Sequence, residues 1–492
     1  MPWFMLWVSQ AFAFPCGLQA HLPEIAATPF RQPVTLTTSG ELEGRDPFEI
    51  IGREEVTPHF SIRWGANAVY NQDLILEVGE VLEEIWTAEV ETLGYPAPRG
   101  TDAYRLNVYV GDTGGGTPSA GFSIAYVTVD GEGYPYMVLS PYVLEAAGWG
   151  DFDTVRSVIA HEFFHTLQLT TEAYLYEGQA GWFWEATANW IVQHVDPYNS
   201  SIGSAVGAYA VLPHLSVALF DYPDEGTLSE SHHYGAEVFI SHLDEDFGGP
   251  DLIRDAWTDA SPKDLPLEVL DDLLVEQGAS IDQAFSEFVT RNSTFGDYLY
   301  SANYQASLDL YTSFFPEEAR RYAAILASDG TEDWETPRES YFPRGWGYNH
   351  IRWINPSPGR VLASVRADEL GSEGSASRWF ASVIRITDEG VFATPVLEGG
   401  IAGETEIITT GDEDEVLLAV AAHPDTWLED ERFGYQFQLG YLERFTAEPG
   451  AASLEPIQEG CTCGSRSSPL STLAAWFGLT LVWSRKRQQH AS

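Results

Sequence analysis

The sequence predicts an α+β fold, and three stretches of hydrophobic patterning carry that expectation. From about 57 to 150, runs with a period of two surround one stripe of helical period; from 151 to about 325 helical spacing dominates; after 336 short alternating runs return between turns. Helices beside a sheet, then two packed sheets, are the layers that bury such patterns. The predicted organisation is a mixed α/β part at 57–150, a helical part at 151–335 and a β-sandwich at 336–441.

Taken in order, residues 1–13 are short and apolar and end in Ala11-Phe12-Ala13, the pattern of a secretory signal peptide. Residues 14–56 read as a linker or short pro-segment, because 21–46 is polar with no sustained period. His59 to Trp64 alternates as a strand, and Leu74, Val78, Val81, Leu82, Ile85 and Trp86 make a helical stripe that faces a core. Arg105 to Val110 is a further strand, and Phe122 to Val129 pairs with Tyr136 to Ser140 around Asp130-Gly131-Glu132-Gly133. Gly114-Gly115-Gly116 is not a phosphate loop, since no Lys-Ser or Lys-Thr pair follows it. Later helices are expected at Ala236 to Leu243, Leu252 to Trp257, Leu265 to Val275 and Ile281 to Val289. Strands are expected at Asn349 to Ile354, Arg360 to Val365, Trp379 to Ile386, Glu406 to Thr410, Val416 to Ala421 and Tyr435 to Tyr441.

The chemistry concentrates at His161-Glu162-Phe163-Phe164-His165. Two histidines four apart on a helix share a face, so both imidazoles can reach one metal ion while Glu162 acts on water beside it. Asp153 or Thr154 can cap this helix, and Val155, Val158, Ile159, Phe163 and Leu167 give it an apolar face. A third protein ligand is needed. The metzincin pattern fails, because Gln168 and Thr171 stand where it requires Gly and His. Glu185 is the better candidate: it is the one acidic residue inside the apolar helix Trp182 to Trp190, where a carboxylate is costly to bury without a cation.

A glutamate twenty residues after the second histidine, on a following helix, resembles the gluzincin clan of metallopeptidases, thermolysin-like enzymes included. HEFFHTLQ followed by WFWEATANW is also similar to a group of uncharacterised secreted gluzincins from Gram-negative bacteria, strongly over 150–195 and more loosely over 57–300. The resemblance implies one zinc ion held by His161, His165 and Glu185, with Glu162 as general base. It places Asn189 where the clan has an acidic residue that orients a zinc histidine; an amide accepts the imidazole N–H but raises its basicity less. It also implies an oxyanion donor downstream of the glutamate, for which Ser231-His232-His233-Tyr234-Gly235, expected to open a helix, offers Tyr234, then His233. An edge strand within 122–140 would hold extended substrate by backbone pairing. The absence of a Gly-Ala-Met-Glu-Asn motif favours an endopeptidase.

A formal net charge of −48, with Lys263 and Lys486 the only lysines, argues against nucleic acid and anionic lipid as partners. The three cysteines, Cys16, Cys461 and Cys463, leave the folded body without a disulfide. Pro15 before Cys16 argues against lipidation there. Acidic clusters at Asp221 to Glu225, Asp244 to Asp246 and Asp412 to Glu415 are of a kind that holds Ca2+, but none forms an ordered calcium loop, and a solvated face is the better reading. A linker at 442–460 leads to Cys461-Thr462-Cys463-Gly464, an apolar run from Pro469 to Trp483, and Arg485-Lys486-Arg487. This 461–492 segment resembles C-terminal sorting signals of the MYXO-CTERM type, which implies processing near the cysteines, display at the cell surface, and membrane contact only before processing; a plain anchor is the rival. The expectation is an exported zinc metallopeptidase acting on peptide or protein substrates. The alternative is a surface adhesion or recognition protein with a catalytically degenerate fold, and metal content separates the two.

Overall fold

The computed structural model describes residues 18–444, apart from 32–41, 122, 177, 222–227, 316–324, 327–329 and 332. The signal peptide, Cys16, most of the 442–460 linker and the 461–492 segment lie outside the described residues. Among the described residues no helix is long and apolar enough to cross a membrane.

The chain is α+β, as the patterning predicts. A helix α1 (Leu18–Ala27) precedes a five-stranded sheet built from β1 (Gly52–Val56), β2 (Phe60–Gly65), β3 (Leu106–Val110), β4 (Ala125–Val129) and β5 (Pro135–Leu139), with α2 (Gln72–Trp86) crossing between β2 and β3. The strand order is β1-β2-β3-β5-β4, so β4 is an edge; β2, β3 and β5 run parallel, and the outer strands antiparallel. Alternation puts Ile62, Val108, Val127 and Met137 on one face, packed with Val78, Leu82 and Ile85 of α2 in one core. The opposite face carries Tyr109, Tyr126 and Tyr136, covered by Phe48 and Ile50. Two expectations change here. Residues 14–56 are not simply a linker, because α1 and β1 build them into the fold, and ordered chain begins well before Thr57.

Helix α3 (Pro141–Gly148) leads into α4 (Phe152–Thr171), the metal helix, and α5 (Gly181–Trp190) follows. Asp151 caps α4, its carboxylate accepting from the backbone N–H of Thr154, so the cap lies two residues before the expected Asp153. Two short helices, Val192–Val195 and Val206–Ala210, precede α6 (Leu228–Gly235), α7 (Glu237–Leu243), α8 (Gly249–Thr258), α9 (Pro266–Glu276), α10 (Ile281–Arg291) and α11 (Ser301–Phe314).

The last part holds two sheets, β10-β9-β12-β7-β6 and β11-β8-β13. Their strands are β6 (Ile325–Leu326), β7 (Tyr348–Ile354), β8 (Gly359–Ala367), β9 (Ser377–Thr387), β10 (Gly390–Glu398), β11 (Ala402–Thr409), β12 (Glu413–Pro424) and β13 (Tyr435–Tyr441). Trp353, Trp379, Val361 and Phe437 fill the space between them. The outer face of the larger sheet packs on α10: Ile384, Leu417 and Ala421 belong to the same core as Phe285 and Phe288. At its margin Asp282 accepts from Arg378 Nε at 2.8 Å and meets His423 Nδ1 at 3.1 Å.

Candidate metal centre

Helix α4 is enclosed rather than half-exposed. Val155, Ile159, Phe163 and Leu167 are fully buried, and so are Phe164 and Ala160 on other faces. Phe163 packs on Phe60 and Trp86, while Phe164 meets Tyr95 edge-on. A helix held on all sides presents its polar residues at fixed positions. His161 and His165 lie one turn apart with ring centroids 4.7 Å apart, and their Nε2 atoms face each other at 3.1 Å. Helix α5 brings in the third group: Glu185 Oε2 is 3.2 Å from His161 Nε2 and 3.7 Å from His165 Nε2. Among the described residues, His161, His165 and Glu185 are the grouping of His, Cys, Asp or Glu side chains that can hold a metal ion, their ligand atoms lying within 4.8 Å of one another.

The protons of this cluster follow from its neighbours. His161 Nδ1 lies 2.9 Å from Asn189 Oδ1, and His165 Nδ1 lies 2.6 Å from Gln168 Oε1. Both amides are held the right way round. Asn189 Nδ2 donates to the Tyr234 carbonyl at 3.2 Å, while Gln168 Nε2 donates to the Trp184 carbonyl at 3.0 Å and to Thr187 Oγ1 at 2.9 Å. With each amide oxygen turned to a ring, the neutral imidazole carries its proton on Nδ1 and leaves an Nε2 lone pair. Two lone pairs and a carboxylate oxygen therefore converge, and Glu185 Oε2 is buried with no hydrogen-bond donor. Burial pushes the Glu185 carboxyl up, and only positive charge at the facing rings, His165 most, outweighs this and holds it below the ordinary carboxylate range; with neutral rings that charge must come from an ion. Three acceptors facing one another in a dry site call for a cation.

The other candidates border this cluster. Glu162 is buried in the same turn as His161. Asn189 stands where the sequence reading put it, orienting His161. The segment Ser231 to Gly235 does not open a helix; it forms the second half of α6, which breaks at Ala236 before α7. The helix is already under way at Leu228, where the described residues resume after 222–227. Tyr234 is buried with its ring centroid 6.3 Å from that of His161. His233 is buried with neither ring nitrogen hydrogen-bonded, its ring 4.4 Å from that of Tyr234 and 4.9 Å from that of Phe220. Burial brings its pKa down to about 4, with Glu185 and Asp221 pulling the other way, so it is neutral at pH 7. His232 does not join the group of rings; it stacks on Tyr209 at 4.7 Å. A cleft of about 360 Å³, lined by Trp182, Phe220, Trp346 and Trp427 among others, has none of the three ligand residues in its wall.

Two site residues were not anticipated. Gln168 is the second orienting amide. Gln19 of α1 donates from Nε2 to Glu185 Oε1 at 3.0 Å, across 166 residues of sequence. Of the acidic clusters, Asp244 accepts from Trp190, Gln193 and His194, while Glu245 and Asp246 pair with Arg291.

Fold and cluster together define an α+β protein with a two-histidine, one-glutamate group able to hold a metal ion. The chain belongs to a family of unknown function, DUF6055, which matches residues 55–431 and so spans the sheet, the cluster and most of the strand-rich part. No curated protein matches. Among solved structures, one similar chain is BtGH115A, a family GH115 4-O-methyl-alpha-glucuronidase with specificity for decorated arabinogalactans. The two are 10% identical with a TM-score of 0.15, and the match covers 60% of this chain and 40% of that one, a likeness too slight to bear on fold or chemistry.

Proposed function

We propose that the chain is an exported zinc metallopeptidase of the gluzincin type, hydrolysing peptide bonds in peptide or protein substrates. The observation that carries this is the spacing of the three acceptors. Ligands at about 2.0–2.1 Å on a tetrahedron stand roughly 3.3 Å apart, and the pairs here are 3.1, 3.2 and 3.7 Å. Two imidazoles and one carboxylate, with a fourth position left for solvent, are the donor set of a catalytic rather than a structural zinc site. When bound, zinc supplies Lewis acidity, polarising a carbonyl and making water acidic near neutral pH.

The chain's own residues then have separable tasks. His161, His165 and Glu185 hold the ion, and Asn189 and Gln168 fix the tautomer and plane of the two rings. Glu162 takes the proton of the attacking water and returns it to the leaving amine. Tyr234, or His233 as a neutral donor, bonds the oxyanion as it forms. Strand β4, at the sheet edge, offers backbone groups to an extended substrate.

Elemental analysis of the purified protein together with two substitutions tests this. The wild type should carry one zinc per chain and cleave peptides; Glu162→Gln should keep the zinc and lose at least about a hundredfold in rate; Glu185→Ala should lose the zinc. A Glu162→Gln protein as active as the wild type would sink the assignment of the base, and a metal-free wild type would sink the reading altogether.

A further inference from the structure

Helix α1 touches both the edge strand β4 and the metal cluster. Leu18 and Ile25 are buried in the same core as α4 and α5, and Leu22 packs against it. His21 stacks on Tyr126 of the edge strand β4, ring centroids 4.7 Å apart. Beyond the helix, the segment follows the β4–β5 hairpin: Phe30 packs edge-on against Tyr134 at 5.2 Å, and the Arg31 N–H donates to the Glu132 carbonyl at 2.9 Å. At its other end Gln19 donates to Glu185.

These contacts put residues 18–31 where a peptide paired to β4 would have to lie. A helix packed against the edge strand competes with an extended peptide for that edge. The helix is also poorly able to stand alone. It carries Pro23 in its interior, and an interior proline removes a backbone donor and crowds the preceding turn. Its order depends on docking, since Leu18 and Ile25 are the residues it buries.

We infer that residues 18–31 are an intramolecular inhibitor: docked, they cover the substrate approach of the metal cluster and engage Glu185 through Gln19, and their release opens the site. The inference rests on reading the cluster as a zinc centre. A ligand of a site that is open only part of the time binds more weakly in proportion to the open fraction, so undocking raises its measured affinity.

The test uses the full chain loaded with one zinc ion, with two readouts: the rate at which EDTA strips the metal, and the affinity for an extended peptide hydroxamate. Gln19→Ala removes one hydrogen bond to a charged group and should tighten hydroxamate binding about tenfold. Leu18→Asp combined with Ile25→Asp should undock the helix, tighten binding about a hundredfold, speed metal loss and accelerate amide exchange in residues 18–31. Unchanged affinity and stripping rate in a zinc-loaded double variant whose helix exchanges freely overturns the inference and leaves the zinc reading standing. If the double variant does not fold, Gln19→Ala alone decides, with affinity within twofold of wild type counting against. A wild type that binds no zinc removes both.

Discussion

Replacing Gln168 by leucine should weaken metal binding about 10- to 100-fold without touching a ligand. In the folded chain the Gln168 oxygen receives the Nδ1 proton of His165 at 2.6 Å, and its nitrogen donates to Trp184 and Thr187. Leucine has similar bulk but no polar atoms. The neutral imidazole then gains by carrying its proton on Nε2, where His161 Nε2 at 3.1 Å accepts it, and a metal ion binds only the tautomer whose proton is back on Nδ1. Substitutions at such orienting groups cost 10–100-fold in affinity, about 1.4–2.7 kcal/mol. A second cost falls on folding, because the bonds of Gln168 to His165, Trp184 and Thr187 are lost, at about 1 kcal/mol each. The assay is competition for zinc against a chromophoric chelator at pH 7 and pH 8, alongside urea unfolding of the metal-free protein. The weakening should be the same at both pH values, since exchanging one neutral tautomer for the other takes up no proton. Affinity within twofold of wild type at both values would refute the assignment of the His165 tautomer and with it the argument for an acceptor-only cluster.

Two further outcomes concern stability. Burial raises the Glu237 carboxyl to about 8, a backbone hydrogen bond from Gly203 offsetting this in part, so the folded chain holds a proton there that the unfolded chain releases near 4.5. The stability this group contributes is complete below pH 4.5 and is lost as pH rises to about 8. Glu237→Gln should therefore flatten the stability profile over that window by on the order of 3 kcal/mol, read as the difference in unfolding free energy from wild type at pH 5 and pH 8; a constant difference would contradict it. Phe285→Ala should cost about 3–5 kcal/mol, since that fully buried ring sits 5.5 Å from Trp346 and 5.1 Å from His423. Calorimetry should still show one transition, because the ring lies in a core common to the helical part and the larger C-terminal sheet; two separated transitions would show that the parts unfold independently.

The histidine pair was legible because its spacing is a property of the helix itself, and Glu185 because a lone carboxylate in an apolar helix raises its own question. What was not legible depends on contacts remote in sequence or on broken patterns. Helix α1 hid behind Pro23, and its contact with Glu185 spans 166 residues. Gln168 could be seen only as a failure to match another pattern, since nothing local says which ring its amide meets. Strand β10 escaped because a bulge between Pro395 and Leu397 interrupts its alternation. Helix α11 escaped because its buried face is Tyr304, Ser307 and Tyr311 rather than an aliphatic stripe.

The choice of amides over carboxylates at both orienting positions has a structural reason. Each amide must accept from an imidazole and donate to a main-chain carbonyl: Asn189 to Tyr234 on α6, Gln168 to Trp184 on α5. A carboxylate could do the first but would meet the carbonyl oxygen as a second acceptor. The amides thus make ring orientation depend on how α4, α5 and α6 pack, and that packing leaves little slack. A Cβ on Gly181, at the start of α5, would stand 2.4 Å from the Phe220 ring, and the same ring lies against His233. There is an electrostatic consequence too. Glu185 is the one anion among the three ligands, so a divalent ion there keeps more of its charge than it would with carboxylates behind the histidines. That favours polarisation of a carbonyl over tight retention of the metal. Gln19 fits the same logic, since a neutral amide can rest on the carboxylate without adding charge that a bound cation would repel.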